Sequence, residues 1–197
     1  MVTSRKQQIR NAAFKTFGSV VPARLLNSTS MRVMGIDCGG EFTGYGVVEQ
    51  IAIPNLSCLC AGAVRLSPKD ALEKRLDKIF NKLLEVMAEF KPDVVAIEDV
   101  FYASNAKSAL KLGHVRGVAM LAAAHSGLAV VAYSPLSIKS SVVGYGRAEK
   151  LQVQVMVTRL LKLPAMPEPP DVADALAIAI CHLHTAGTLE RQKAVAR

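Results

Sequence analysis

Four carboxylates stand out by where they fall in the chain. Asp37 ends a short apolar run, RVMGID, and is followed by Cys38-Gly39-Gly40. Glu98 sits near the end of a second run, DVVAIED, and Asp171 and Asp174 open an apolar stretch just after the proline-rich loop 164–170. Acids at the ends of two strands and at the start of a helix can be delivered to one place, and the i, i+3 spacing puts Asp171 and Asp174 on one helical face. Carboxylates gathered in this way repel one another unless cations neutralise them. An oxygen-rich donor set suits Mg²⁺, with Mn²⁺ as its substitute. Two such ions about 3.5–4 Å apart can stabilise both the attacking and the leaving oxygen of a phosphoryl transfer. Taken singly, each acid has a plainer reading. Asp37 can be a turn residue, Glu98 a solvated strand end, and Asp171 a helix N-cap with Asp174 in the first turn. Only their joint placement points to metal-dependent chemistry.

The elements that must position these acids are legible in the hydropathy pattern. Residues 32–37, 42–50 and 56–66 read as three closely spaced strands, which predicts an antiparallel meander. Residues 70–90 form an amphipathic helix with Leu72, Leu76, Ile79, Phe80, Leu83, Val86, Met87 and Phe90 on one face, stopped at Lys91-Pro92. Residues 93–99 are apolar on both faces and predict a central strand. An alanine-rich helix over 104–125, a strand over 128–133 and helices from 135, over 148–162 and over 171–185 follow. Ser134-Pro135 has the N-cap and first-turn chemistry of a helix start. The order predicts an α/β fold: a five-stranded mixed sheet, its first three strands a meander, flanked by helices.

Composition narrows the class. A chain of 197 residues that is 51% hydrophobic and 20% charged excludes wholesale disorder. No apolar run approaches the roughly 18–20 residues of a membrane span, so no membrane partner is expected. Four cysteines without a CxxC pair argue against a disulfide scaffold or a structural zinc, and fit a reducing cytoplasm. The net charge of +8 suggests an anionic partner, yet Arg5, Lys6, Arg10, Lys15 and Arg24 supply +5 of it from residues 1–30, which hold no acid. That segment reads as a transit peptide, a basic arm, or sequence upstream of a true start at Met31. The expected organisation is therefore a basic extension over 1–30, a catalytic domain over 31–190 and a basic tail over 191–197.

Longer segments carry a resemblance. MRVMGIDCGG with TGYGVV, VVAIEDVFYASNAKSALKLGHVRGVA, VVGYGRAEKLQVQVMVTRLLKLP and DVADALAIAICH together resemble the RuvC family of crossover (Holliday) junction endodeoxyribonucleases, homodimers of the ribonuclease H-like superfamily. The resemblance runs from Met31 to about Leu183. It implies that Asp37, Glu98, Asp171 and Asp174 are the metal-binding catalytic acids, holding two ions. It also implies hydrolysis of DNA phosphodiesters by paired symmetric nicks with 5′-phosphate and 3′-hydroxyl ends. Lys139 and Lys150 match basic positions near the scissile phosphate, where a cation stabilises transition-state charge. Phe101 matches an aromatic position that handles bases at the open junction centre, where stacking contributes roughly 1–3 kcal/mol. A four-way DNA junction and the RuvA and RuvB branch-migration complex are the implied partners, in the bacterial cytoplasm. The family usually reads IDPGS where this chain has Asp37-Cys38-Gly39-Gly40, a change in the turn that aims Asp37.

The remaining polar and small residues divide between function and packing. Lys107, Lys111 and Arg116 follow Phe101 along one helix, where they can track phosphates or form a solvated face. Arg147 joins them as a candidate DNA contact. The charges between Lys69 and Lys82 read as the solvated face of their helix. Gly113-x-x-x-Gly117 with Ala119 and Ala122–Ala124 offers a smooth surface for core packing or a dimer seam. His114, His125, His182 and His184 share no ligand spacing with the acids and read as structural. Cys38 reads as a small filler, and Cys58 and Cys60 as packing residues facing opposite ways. Two rival functions remain: an actin-like or sugar-kinase-type ATPase, prompted by Asp37-x-Gly-Gly and Thr43-Gly-Tyr-Gly, and a junction-binding module that does not cleave.

Overall fold

The computed structural model describes residues 30–52, 55–99 and 106–195. Three strands open the fold: β1 (Met31–Asp37), β2 (Phe42–Ala52) and β3 (Asn55–Arg65). They form the antiparallel meander, with Asp37 opposite Gly44 and Phe42 opposite Arg65. Helix α1 (Leu72–Phe90) leads into β4 (Val94–Glu98), and α2 (Ala106–His125) into β5 (Ala129–Tyr133). Three helices complete the chain: α3 (Pro135–Val143), α4 (Lys150–Leu160) and α5 (Pro170–Val195). The sheet order is β3-β2-β1-β4-β5, with β1, β4 and β5 parallel. The fold class is the one expected from the pattern of elements.

Helices cover both faces of the sheet, which is why β1 and β4 are apolar on both faces between their ends. Val33, Val94 and Ala96 pack beneath α3, α4 and α5. Met34, Ile36, Val95 and Ile97 point the other way, onto α1 and α2. The apolar face of α1 buries Ile79, Leu83, Val86 and Met87. It begins at Leu76, because Leu72 at the helix start is exposed. Lys91 ends α1 in the left-handed conformation (φ 48°) and returns its N–H to the Met87 carbonyl at 3.0 Å, before Pro92 prevents continuation.

Helix α5 meets the sheet backbone to backbone. A Cβ on Gly35 would collide with the Ala175 carbonyl, and one on Gly44 with the Asp171 carbonyl. Only glycine permits so close an approach. The apolar pattern of α5 fades after residue 185, yet the helix continues to Val195.

A register shift between Val47 and Val48 sets Cys60 opposite Val47 and Cys58 opposite Val48, leaving Leu59 as the extra residue of a bulge. Residues two apart on a regular strand share a face. It is the bulge that turns Cys58 toward the α5 side and Cys60 toward the α1 side.

Candidate active site

Asp37 and Glu98 are the last residues of adjacent parallel strands, and Ile36 pairs in register with Ile97. Since Ile36 and Ile97 face α1 and α2, the two carboxylates that follow them face α5. The first turn of α5 rests on Gly44, directly opposite Asp37, and this brings Asp171 and Asp174 to the same edge. Asp171 lies inside that first turn, after Pro170, so the N-cap reading of this residue does not hold. Its Oδ1 would stand 2.9 Å from a Cβ on Gly39, so it abuts the Asp37–Gly40 turn.

Asp37, Glu98, Asp174, Lys139 and Lys150 line one cleft of about 180 Å³, floored by Ile138, Val153 and Ile178. Asp171 stands at its margin rather than on its wall. Lys150 Nζ donates to Asp174 Oδ2 at 2.7 Å. Lys139 is carried by α3, whose start is capped as expected: Ser134 Oγ accepts from the Ser137 N–H, with Pro135 in the first turn.

The electrostatics of the cleft follow from this crowding. Burial, then the charges of Asp174, Glu98 and Asp171, push the Asp37 pKa up to about 7, against the pull of Lys150. Burial and Asp174 also raise Glu98, against Lys139 and Lys150. Burial acts to lower Lys150, but its bond to Asp174 and the charges of Asp174, Asp171 and Asp37 raise it on balance. Four acids face two ammonium groups, so the edge holds an excess of negative charge, which adds to burial in raising Asp37. A hard divalent cation would relieve that excess, and the all-carboxylate donor set fits one. Among the described residues, however, no three acidic, histidine or cysteine groups converge on one ligating point. Three of the four acids line the cleft, and the fourth abuts the turn after Asp37. Lys150 takes up one oxygen of Asp174, the acid that a cation in the cleft would share.

Of the basic candidates, Lys139 and Lys150 meet in the cleft. Arg147 is exposed on the α3–α4 loop and Lys111 is exposed on α2. Arg116 is turned back on the protein, with Nη2 3.6 Å from Asp99 Oδ1 and Nη1 3.5 Å from Met120 Sδ. Lys107 lies on α2, but its side chain, like Phe101, falls outside the described residues. Cys38 packs on the α1 side, away from the acids, and burial followed by the Asp37 charge pushes its thiol up to about 12. It is a filler, not a soft metal ligand.

A sequence profile of the family described as crossover junction endodeoxyribonuclease RuvC matches residues 33–182. The chain belongs to the RuvC family. Its RuvC relatives include the crossover junction endodeoxyribonuclease of Koribacter versatilis, 68% identical over 166 residues that span 84% of this chain and 100% of that protein. The corresponding protein of Acidobacterium capsulatum is 55% identical over 169 residues, 83% of this chain and 99% of its own. Among solved structures, Thermus thermophilus RuvC in complex with a Holliday junction substrate superposes with a TM-score of 0.76 at 36% identity, over 79% of this chain and 94% of that one. The yeast mitochondrial Holliday junction resolvase Ydc2 shares the fold alone, with a TM-score of 0.61 at 17% identity over 82% of this chain and 81% of its own. The ribonuclease H-like fold of RuvC is therefore the fold of this chain. No described helix is long and apolar enough to cross a membrane.

On this RuvC scaffold one arrangement escaped sequence reasoning. Gln152 Oε1 accepts from the Glu149 N–H at 2.8 Å and from the Tyr145 hydroxyl at 2.9 Å. Glu149 in turn caps α4, so Tyr145, Gln152 and Glu149 together fix the turn from which Lys150 emerges. The signal is present as Glu149-x-x-Gln152, a capping-box spacing whose first residue is a carboxylate instead of the usual hydroxyl.

Proposed function

We infer that this protein is a structure-specific endodeoxyribonuclease that resolves four-way DNA junctions by paired, symmetric nicks. One observation carries the reading: in a chain of the RuvC family, β1, β4 and α5 deliver Asp37, Glu98 and Asp174 to a single cleft with Lys139 and Lys150, and Asp171 to its margin. Asp37, Glu98, Asp171 and Asp174 would hold two Mg²⁺ ions, with Mn²⁺ as substitute. When bound, such ions supply Lewis-acid activation of water and stabilise charge on the attacking and leaving oxygens. Lys139 and Lys150 place ammonium groups beside the phosphate that lies over the acids, where they stabilise charge developing on its oxygens. Phe101, Lys111 and Arg147 extend the DNA contact outward. The expected products carry 5′-phosphate and 3′-hydroxyl ends.

Two nicks require two active sites, and α2 carries the surface that a homodimer needs. Leu110, Gly113, Gly117 and Leu121 recur on one helical face. Leu110 is 62% and Leu121 59% exposed, and open space lies over both glycines. An apolar stripe left open on a helix fits a protein interface. RuvA and RuvB are the proposed partners, and the bacterial cytoplasm the proposed location.

The deciding experiment incubates the purified protein with a mobile four-way junction in Mg²⁺, with linear duplex as control. Paired, ligatable nicks on opposing strands of the junction alone are expected. Tight Mg-ATP binding without DNA cleavage would restore the ATPase reading, and junction binding without cleavage would leave a binding module. Residues 31–190 are proposed as the catalytic unit, flanked by the extension 1–30 and the tail 191–197. A chain of residues 31–197 should fold, dimerise and cut; an unfolded or inactive product would refute that division.

A further inference from the structure

The sheet edge that carries the acids extends past their cleft. Strand β2 begins and β3 ends on this edge, with Phe42 opposite Arg65. Both fall on the face that bears Gly44, against which the Asp171 carbonyl rests. Arg65 therefore lies on the acids' side of the sheet, its guanidinium 5.9 Å from the centroid of the Phe42 ring. Beside it opens a second cleft of about 470 Å³, lined by Arg65, Ser67, Lys69 and Lys78, with Glu41 as the one acid among the described residues. Lys78 Nζ donates to the Arg65 carbonyl at 2.9 Å, and Arg75 Nη2 to the Gly40 carbonyl at 3.1 Å. The second bond ties a further cation to the turn that follows Asp37.

The charge of this cleft is local. The neighbouring cleft along α1 shares Arg65 and Lys78 but adds Asp77 and Glu85, and its Lys82 pairs with Glu85 at 3.0 Å. The positive excess belongs to the cleft where β3 ends, not to its neighbour along α1. The pattern of the sequence assigns Lys69–Lys82 to a solvated helix face. In the fold, Lys69 and Lys78 instead join Arg65 around one concavity where β3 ends.

We propose that this cleft is a phosphate-binding site for the DNA arm that leads to the scissile phosphate, with Arg65, Lys69 and Lys78 gripping one strand of the duplex. Neighbouring strands stand about 4.8 Å apart, which puts β3 about 10 Å from β1. Along the axis of a duplex, that distance spans about three base steps. The cleft thus meets the same DNA strand a short way from the cut and sets its path into the acids. The proposal rests on the nuclease reading above.

The test measures junction affinity of the full chain over a range of salt concentrations, without Mg²⁺. Each phosphate that a variant no longer neutralises should lower the slope of log affinity against log salt by about 0.9. An Arg65→Ala/Lys69→Ala variant should lose about two from the slope, and Lys69→Gln alone about one. Lys91→Gly serves as control: Lys91 is exposed at the opposite sheet edge, and its φ of 48° suits glycine. Its slope should not change. Slopes in the cleft variants no lower than in Lys91→Gly would overturn the proposal while leaving the nuclease reading intact. A parent protein that neither binds nor cuts junctions would overturn both.

Discussion

Replacing Asp37 by Asn should abolish cleavage and, in the absence of divalent metal, make the folded protein more stable. Asp37 ordinarily ionises near 3.8, and in the folded cleft its pKa stands at about 7, through burial and three neighbouring carboxylates. A group whose folded pKa is raised contributes stability that is fully present below its unfolded pKa and is lost as the pH climbs to the folded one. Ionising Asp37 therefore costs stability between about pH 4 and pH 7, and the whole cost is borne above pH 7. A shift of roughly three units at about 1.4 kcal/mol per unit sets a ceiling near 4 kcal/mol. The cleft is open to water on one side, which screens the repulsion and brings the expected cost to about 2 kcal/mol. Asn keeps the shape and carries no charge, so at pH 8 in EDTA it should raise the melting temperature by about 4–8 °C, at about 2–4 °C per kcal/mol for a domain of this size. The difference should shrink toward zero near pH 4. It should also shrink or reverse in saturating Mg²⁺, because only the parent gains the full linkage of metal binding to folding. Differential scanning calorimetry of both proteins at pH 4, 6 and 8, with and without Mg²⁺, reads all of this. A variant that is less stable than the parent at pH 8 in EDTA would refute the electrostatic account of the site.

The remaining predictions probe the supports of the site. Burial holds His182 down to about 4, with its Nδ1 2.7 Å from the Tyr133 hydroxyl, so its stability contribution is present above about pH 6.5 and is lost as the pH falls toward 4. This opposes the Asp37 effect across the same window. The metal-free parent should show a shallow stability profile there, and Asp37→Asn should unmask an acid loss of up to about 3 kcal/mol; identical pH slopes in melts of the two proteins would refute it. Lys139→Ala should slow single-turnover cleavage at saturating junction by about 10²-fold while changing the dissociation constant little, and an equal loss in both would make it a phosphate anchor only. Gly35→Ala should cost about 1–3 kcal/mol by overpacking against the Ala175 carbonyl, and lower cleavage further by displacing the first turn of α5. Normal activity in a destabilised Gly35→Ala protein would show that α5 does not aim its acids from the sheet.

Periodicity made the scaffold of the site legible. Runs such as RVMGID and DVVAIE announce buried parallel strands, and an acid at the end of each announces a sheet edge. The order of elements then allowed β1 and β4 to lie side by side, as they do. What stayed hidden depends on single contacts that period and spacing do not encode. The bulge at Leu59 decides which face each cysteine takes, and nothing in the alternation of that strand marks it. The Lys150–Asp174 pair joins residues on different helices, so neither local pattern reveals it. Leu72 fits the α1 stripe by angle, but as the first residue of the helix it stays exposed. Glu149-x-x-Gln152 has the right spacing for a capping box, but a carboxylate in the place of the usual hydroxyl disguises it.

The glycine contacts beneath α5 have a consequence for how this enzyme tolerates sequence drift. Where two elements meet through side chains, rotamer changes and compensating substitutions can absorb a mutation at the seam. Where they meet carbonyl to Cα, as at Gly35 and Gly44, the spacing is a sum of atomic radii with no adjustable part. Drift in the residues around such a seam can remodel the outer surface of α5, its partners and its length without moving Asp171 or Asp174. The two glycines act as a gauge block for the edge that carries the acids, contributing no carboxylate and setting its dimensions.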